Sequence, residues 1–479
     1  MNHRSLKTNA LLNTIKTVIS LLFPLITFPY VSRVLQVEEI GIYNFSASVI
    51  SYFALLAGLG ISTYAIREGP QYREDRKLIS KFVSEVFSIN LWSTIISYIL
   101  LLIAMLSVEK LHNYTIAILI LATEMIFNTL GVNWVCNIFE DFLFITIQSI
   151  SVQALSLILT LLLVKSPSDI NIYIGIVAFS KSAANIANYF YIRYKYCKFQ
   201  FKLHCGFRKH IKPILIIFST SIAISIYVNS DTTMLGFMTN DYQVGLYSTA
   251  VKIYTIVKNI LSAALIVLIP RFSLLLQCDK KEEANHLFSR VFNVLTILML
   301  PSIVGLFITS EDVIHLIGGS NYLGGTNSLR LLCVAIAFSL IAYLYTQCIL
   351  IPKKKEKVVF IATTISAAVN IGLNFVFIPL WGINGAAITT IIAEAIVCVM
   401  SIIYSKSDIK LGEIANNLFS VIIGCIGISI VGWLCYRFLD YFLIRLLATM
   451  ILSAVIYAIL LVTLKNSIVL ECVKKIRKK

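Results

Sequence analysis

Charge is what this sequence has least of. Only 13% of its residues are Asp, Glu, Lys or Arg, against about 25% in an ordinary globular chain. That deficit excludes a water-facing globule as the main body, because a soluble surface needs interspersed charge. Glycine (21 residues) and proline (9) are also sparse in 479 residues, which excludes collagen-like and low-complexity disordered chains. Ten cysteines occur, but no Cys-x-x-Cys pair, and Cys136, Cys333, Cys348, Cys398, Cys425 and Cys435 fall in apolar stretches, where cysteine acts as a small hydrophobe. Cys197, His204, Cys205 and His210 share one loop, yet their spacing matches no standard zinc pattern. The sequence has no glycine-rich phosphate loop, no Gly-x-Ser-x-Gly and no His-Glu-x-x-His, and the six histidines (His3, His112, His204, His210, His286, His315) read as loop or tail residues. ATP hydrolysis and serine or zinc hydrolysis therefore lack their machinery. No catalytic residue and no cofactor is expected.

What is present is apolar length. The apolar share is 58% and the mean hydropathy is +0.85. A spanning helix needs roughly 20 mostly apolar residues, and only helices or closed barrels satisfy the backbone in lipid. Unbroken apolar runs exclude a barrel, whose strands would alternate. Fourteen runs are expected to span, near 9–33, 41–66, 82–107, 114–138, 142–164, 170–192, 213–238, 243–269, 291–309, 329–351, 358–378, 384–404, 414–436 and 442–464. The fold class is an all-α integral membrane protein. The first run is too long for a secretory signal and lacks a small-residue cleavage site, so it reads as a retained helix.

The net charge of +16 is explained by orientation, with no need of nucleic acid. With the N-terminus in the cytoplasm, 30 lysines and arginines fall on inside segments and 6 on outside segments, namely Arg33, Lys110, Lys165, Arg330, Arg437 and Arg445. That asymmetry is the positive-inside pattern, and it predicts cytoplasmic termini in a bacterial inner membrane. The longest outside loop is expected from about Glu311 to Ser328, too short for the outside catalytic loop of a membrane glycosyltransferase or polymerase. Gly41-Ile-Tyr43 opening the second run and Gly245-Leu-Tyr247 opening the eighth form an internal echo. Six spans separate them, which suggests two repeats related by an axis along the membrane normal. The expected division is an N-terminal lobe over 1–205, a C-terminal lobe over 206–405, and a final helix pair with a basic tail over 406–479.

Ionisable groups inside a bilayer are costly and normally face a bundle interior or a wet cavity. In the first run Asn9, Asn13, Lys16 and Ser20 share a helix face, and Pro24 and Pro29 are expected to interrupt the helix beyond them. Lys181, Asn185 and Asn188 align in the sixth run, and Lys252 and Asn259 in the eighth, with Lys258 on another face. Arg33 and Arg67 lie near span ends. A cavity bearing Lys16, Lys181 and Lys252 would suit an anionic cargo. The plainer alternative is interhelical hydrogen bonding, or lysines snorkelling to head groups. Asp231, Glu124 and Glu394 read either as counter-ions to the lysines or as proton or cation sites. Asn370, Asn374 and Thr390 are further polar residues within spans.

Phe28-Pro-Tyr-Val-Ser-Arg33, Gly41-Ile-Tyr43-Asn-Phe and Leu55-Leu-Ala-Gly58-Leu-Gly60 through Arg67-Glu68 resemble the start of O-antigen and capsule repeat-unit flippases of the Wzx type. Asn133-Trp134 with Phe139-Glu140-Asp141-Phe142 resembles their fourth-to-fifth span junction, and Ile351-Pro352, Asn370-x-x-x-Asn374, Ile378-Pro379 and Trp381-Gly382-Ile-Asn-Gly385 resemble their tenth-to-twelfth span region. The later pieces are shared by the wider superfamily of multidrug, oligosaccharidyl-lipid and polysaccharide exporters. The resemblance implies two six-helix lobes in a V working by alternating access. It implies an undecaprenyl-diphosphate-linked oligosaccharide as cargo, with membrane lipids, polysaccharide polymerase and chain-length proteins as partners. It also implies a sodium site, because Asp231, Asn370, Asn374 and Thr390 fall where related lipid II flippases bind sodium. Here Asn374 replaces a carboxylate of that pattern. A cation-coupled multidrug exporter and a non-transporting scaffold of a polysaccharide assembly complex are the alternatives. The deep lysines speak against both.

Overall fold

The computed structural model describes residues 6–202, 206–266, 268–278, 280–406 and 415–471, and only the backbone of 6–15, 17, 18, 21, 22, 264, 415 and 416. His3, His204, Cys205, the side chains of Asn9 and Asn13, and the last residues of the basic tail lie outside the described residues. Among those described there is no strand. Sixteen α-helices follow one another: α1 Leu6–Gly58, α2 Ile61–Glu68, α3 Arg76–Ser107, α4 Glu109–His112, α5 Thr115–Gly131, α6 Trp134–Ile138, α7 Phe142–Leu163, α8 Ile170–Lys195, α9 Phe207–Met238, α10 Asp241–Ile266, α11 Ile269–Gln277, α12 Lys281–Gly318, α13 Thr326–Tyr345, α14 Glu356–Ser405, α15 Ala415–Phe438 and α16 Phe442–Thr463.

Ten described segments are long and apolar enough to cross a membrane. Each of the fourteen expected runs falls on a helix. α1 and α14 each carry two runs joined across a single kinked residue, Gln36 (φ 69°) and Gly382 (φ 55°). α5, with 17 residues, is shorter than the ten. α10 is not among them; it carries Asp241, Lys252 and Lys258 in its length.

Several boundaries differ from expectation. Pro24 and Pro29 do not end the first helix, which runs on to the kink at Gln36. Proline removes one helix donor and frees the carbonyl four residues back, those of Ser20 and Leu25 here, yet proline is tolerated inside membrane helices. Thr27 Oγ1 donates to Phe23 O (3.1 Å) and Ser32 Oγ to Phe28 O (2.8 Å) on the two proline turns. The second run stops at Gly58, eight residues early, where Leu59 (φ 46°) and Gly60 (φ 70°) reverse the backbone. The outside loop expected from Glu311 is mostly helix, since α12 continues to Gly318. His210 is not in a loop: it lies in α9, 1% exposed, and His286 and His315 lie in α12.

The chain divides into two compact units, Met1–Gly245 and Leu246–Lys479. In the first, α1 packs on α3, α5, α7 and α9, and α5 on α8. α3 holds this unit together with a polar stripe that periodicity places on one face. Asn90 Nδ2 and Ser93 Oγ donate to Ala57 O (2.7 and 2.5 Å), Ser97 Oγ to Phe53 O (2.6 Å), and Thr94 bonds Thr129 of α5 (2.6 Å). Ala57 sits in the last turn of α1, where carbonyls have no helical partner. Further along, Ser84 and Ser88 accept from the backbone N–H of Gln200 and Lys202 (3.2 and 2.8 Å), seating the segment after α8.

The two echo glycines meet within this unit. A Cβ on Gly41 would lie 1.9 Å from Asp241 O, and one on Gly245 would lie 2.0 Å from Val37 O. Backbone thus touches backbone where the second and eighth runs begin, and only glycine permits that approach. In the second unit, α13 packs on α14, and α12 on α13, α15 and α16. α15 and α16 pair with each other.

Candidate functional site

In the first unit Lys181 Nζ lies 2.8 Å from Glu124 Oε2, an ion pair joining α8 to α5. Tyr43 packs edge-on against Tyr173 of α8, ring centroids 5.3 Å apart. One turn and two turns on from Lys181, Asn185 and Asn188 are buried. Both bond Asn133, whose Nδ2 donates to Asn185 Oδ1 (2.5 Å) and whose Oδ1 accepts from Asn188. Val132, in the left-handed region at φ 39°, turns the chain so that Asn133 faces α8. The stripe of the sixth run therefore has one charged member, Lys181, and two amides tied to α5 and α6. Asn133 was quoted in the resemblance, but no spacing rule ties it to Asn185.

Lys16 is half-buried on α1, while Arg33 and Arg67 are exposed, with Arg67 Nε 3.0 Å from Glu68 Oε1. Asp231 is buried on α9. On the same helix Asn229 Nδ2 donates to Ser225 O (3.0 Å), and Thr233 Oγ1 bonds Ser48 (2.9 Å) and Tyr52 (3.3 Å) of α1.

The second unit repeats the lysine–glutamate theme. Lys258 Nζ and Tyr254 OH both reach Glu394 Oε1, at 3.0 and 2.9 Å, joining α10 to α14. Glu394 is 5% exposed. A carboxylate so buried is tolerable only when paired and hydrogen-bonded, and both conditions hold. Lys252 and Asn259 are half-buried on α10. Of the two roles open for Glu124 and Glu394, their contacts are those of counter-ions.

Asn370 and Asn374 come together with Thr389, the residue before the expected Thr390. Asn374 Nδ2 donates to Asn370 Oδ1 (3.2 Å) and Thr389 Oγ1 to Asn374 Oδ1 (2.5 Å). Thr390 Oγ1 instead lies 3.2 Å from Tyr247 OH. A hard cation wants several oxygen ligands with negative charge among them. This set is neutral and its oxygens already engage one another, so by itself it fits a cation poorly. Among the described residues no three His, Cys, Asp or Glu side chains come close enough to hold a metal.

Three clusters escaped the sequence. Asp141 Oδ2 accepts from Lys195 Nζ (2.7 Å), Tyr191 OH (2.5 Å) and Tyr196 OH (2.6 Å). Burial opposes its charge, but the bonds from Lys195, Tyr191 and Tyr196 win and hold the carboxyl down at about 2. His210 bridges Tyr64 OH (2.6 Å) and Glu85 Oε2 (3.0 Å), pinning the start of α9 to α2 and α3. Asp312, 1% exposed in α12, pairs through both oxygens with Arg445 of α16, Nε to Oδ2 at 2.9 Å. Each joins residues far apart in the chain. The only available sign of Asp312 was its expected loop position, which concealed it.

The chemistry of these clusters is charge pairing and hydrogen bonding between helices and the turns that join them. The family model described as polysaccharide biosynthesis protein matches residues 6–276, more than half the chain. A protein of Escherichia coli (strain K12) named for O-antigen transport is 25% identical over 279 residues, 57% of this chain and 66% of its own, just under two thirds of its length. One of Shigella dysenteriae with the same name is 23% identical over 411 residues, 82% of this chain and 98% of its own. Among solved structures, the lipid II flippase MurJ in an inward closed conformation matches 94% of this chain and 99% of its own with a TM-score of 0.70 at 19% identity. That likeness is one of fold.

Proposed function

The chain belongs to the polysaccharide biosynthesis protein family, and on that premise we propose that it is a flippase for polyprenyl-diphosphate-linked oligosaccharide repeat units. It would act in the bacterial inner membrane, with fourteen spans and both termini in the cytoplasm, supplying O-antigen, capsule or another surface polysaccharide. The observation that carries the reading is the ion pair each unit keeps inside otherwise apolar helices, Lys181–Glu124 in the first and Lys258–Glu394 in the second. Charge in such positions is costly and marks a transport path more often than a structural strut. The names of the O-antigen transport relatives and of the lipid II flippase with the same fold point to the same cargo class.

In this mechanism Lys16, Lys181, Arg33 and Arg67 of the first unit and Lys252 and Lys258 of the second offer cations to the diphosphate. Asn13, Asn185 and Asn259 are polar positions for the sugars. Access alternates between the two membrane faces while the lipid tail stays in the bilayer. A diphosphate leaving water loses hydration, and paired lysines replace it with charge-assisted hydrogen bonds. Asp231 is the position through which ion coupling would run, since Glu124 and Glu394 are engaged by Lys181 and Lys258 and the neutral Asn370–Asn374 pair fits a cation poorly. Polymerase and chain-length proteins would take the cargo onward.

The test is genetic and biochemical together. Lys16→Ala, Lys181→Ala and Lys252→Ala should each lower surface polymer while the protein stays at normal abundance, with lipid-linked units accumulating on the cytoplasmic leaflet. Normal polymer in all three variants would sink the cationic path.

A further inference from the structure

A cavity of about 350 Å³ opens where α3 begins, α8 ends and the α6–α7 turn passes between them. All of its walls belong to the first unit. Arg73, Arg76 and Lys195 line it, with Glu74 as the one carboxylate and Phe139 and Tyr196 as an aromatic wall. Phe139 and Tyr196 stack face to face at 4.1 Å and 14°, and Lys195 Nζ lies 5.1 Å from the Tyr196 ring centroid, so the aromatic pair helps to fix the lysine.

The cations have donors to spare. Arg73 uses Nη1 on Glu140 (3.1 Å), leaving most of its five N–H groups. Lys195 gives protons to Asp141 and Tyr191, and an ammonium has three. Arg76 is exposed and has no ion pair among the described residues. The Asp141 hub, which ties the turn before α7 to the end of α8, fixes Lys195 and Tyr196 at the cavity edge, and Glu140 holds Arg73, so two of the three cations are in place before any ligand arrives. The volume lies at the small end of ligand pockets. The positive-inside count puts this end of the helices on the cytoplasmic side.

We propose that this cavity is a phosphate-binding site on the cytoplasmic end of the first unit, taking a mono- or diphosphate ester through Arg73, Arg76 and Lys195. Planar guanidinium groups grip phosphate oxygens in pairs, and the ammonium of Lys195 adds a third positive group at the cavity edge. The site is distinct from the lysines within the spans and stands apart from the flippase reading, because binding here requires no transport. Two sources carry the chemistry: an anionic phospholipid head group and a soluble or sugar-linked phosphate.

The experiment uses the full chain in phosphatidylcholine nanodiscs, titrated calorimetrically with inorganic pyrophosphate. Arg76→Glu should weaken binding about tenfold or more, the loss of one charge-assisted contact plus repulsion. Arg76 is exposed and opens α3, and a glutamate is favoured in a first helical turn, so the variant should fold. Lys77→Glu, next to it but outside the cavity lining, controls for net charge and should bind as wild type. Repeating the titration with phosphatidylglycerol in the nanodisc separates the sources. Competition assigns the site to a lipid head group, and undiminished pyrophosphate binding assigns it to a soluble or sugar-linked phosphate. Equal pyrophosphate affinity in wild type and Arg76→Glu overturns the proposal.

Discussion

Glu394 is buried and bonds Lys258 and Tyr254, which makes the Lys258–Glu394 pair a sharp test of glue against function. Removing Lys258 alone leaves a buried carboxylate without its cation, so Lys258→Ala should cost about 3–5 kcal/mol and lower the melting temperature in detergent. Lys258→Met with Glu394→Leu removes both charges and should melt close to wild type, since an apolar pair replaces a buried ion pair at little cost. If the double variant is stable yet exports no polymer, the charges serve transport; if it exports normally, they are struts. Lys181 and Glu124 are more open, with 52% and 26% of their side chains exposed, so Lys181→Ala should shift stability by about 1 kcal/mol or less. The same substitution is expected to cut export, which separates the two roles at one residue. The sequence could mark these four residues as out of place in lipid. It could not pair them, because Lys181 and Glu124 are 57 positions apart and Lys258 and Glu394 are 136 apart.

Helices in this protein meet through small residues and shared polar groups. Gly41 is the clearest case, since its backbone lies against Asp241. Gly41→Ala should separate α1 from α10, cost about 1–3 kcal/mol as overpacking, and reduce the folded yield; unchanged melting would mean the helices do not touch there. The echo of Gly41-x-Tyr43 and Gly245-x-Tyr247 was readable as a repeat. That the two glycines form one crossing was not, since each needs the other's backbone as its reason. α15 and α16 had no role from sequence beyond completing the count. Arg445–Asp312 and Tyr457 OH to Ile297 O at 2.8 Å fasten α16 along α12, and Arg290–Glu471 at 2.7 Å ties the segment after α16 to the same helix. Arg445→Ala should therefore destabilise by about 3 kcal/mol or more by stranding buried Asp312, and Asp312→Asn in the same chain should recover part of the loss. Equal melting of both would remove the pair from the account of how α16 docks.

For the molecule as a whole, orientation is the property most open to a direct check. A reporter enzyme fused after Lys479 should be active only as a cytoplasmic protein, and periplasmic activity would overturn the even number of crossings. The apolar runs, the low charge and the 30-to-6 division of basic residues are one-dimensional quantities, because lipid acts on each segment by its own composition and on each loop by its own charge. Sequence alone therefore determined the all-helical membrane class and which stretches form apolar helices. Kinks are different. Pro24 and Pro29 look like breaks, yet the helix runs through both and kinks at Gln36, because one lost donor per proline need not end a membrane helix. Only the tertiary structure decided that Asn185 and Asn188 close on Asn133, that Thr389 rather than Thr390 joins Asn370 and Asn374, and that Asp312 is a buried anchor. The physical reason is common to all three: a polar group's role is set by which partner arrives within hydrogen-bond distance, and that partner comes from another helix.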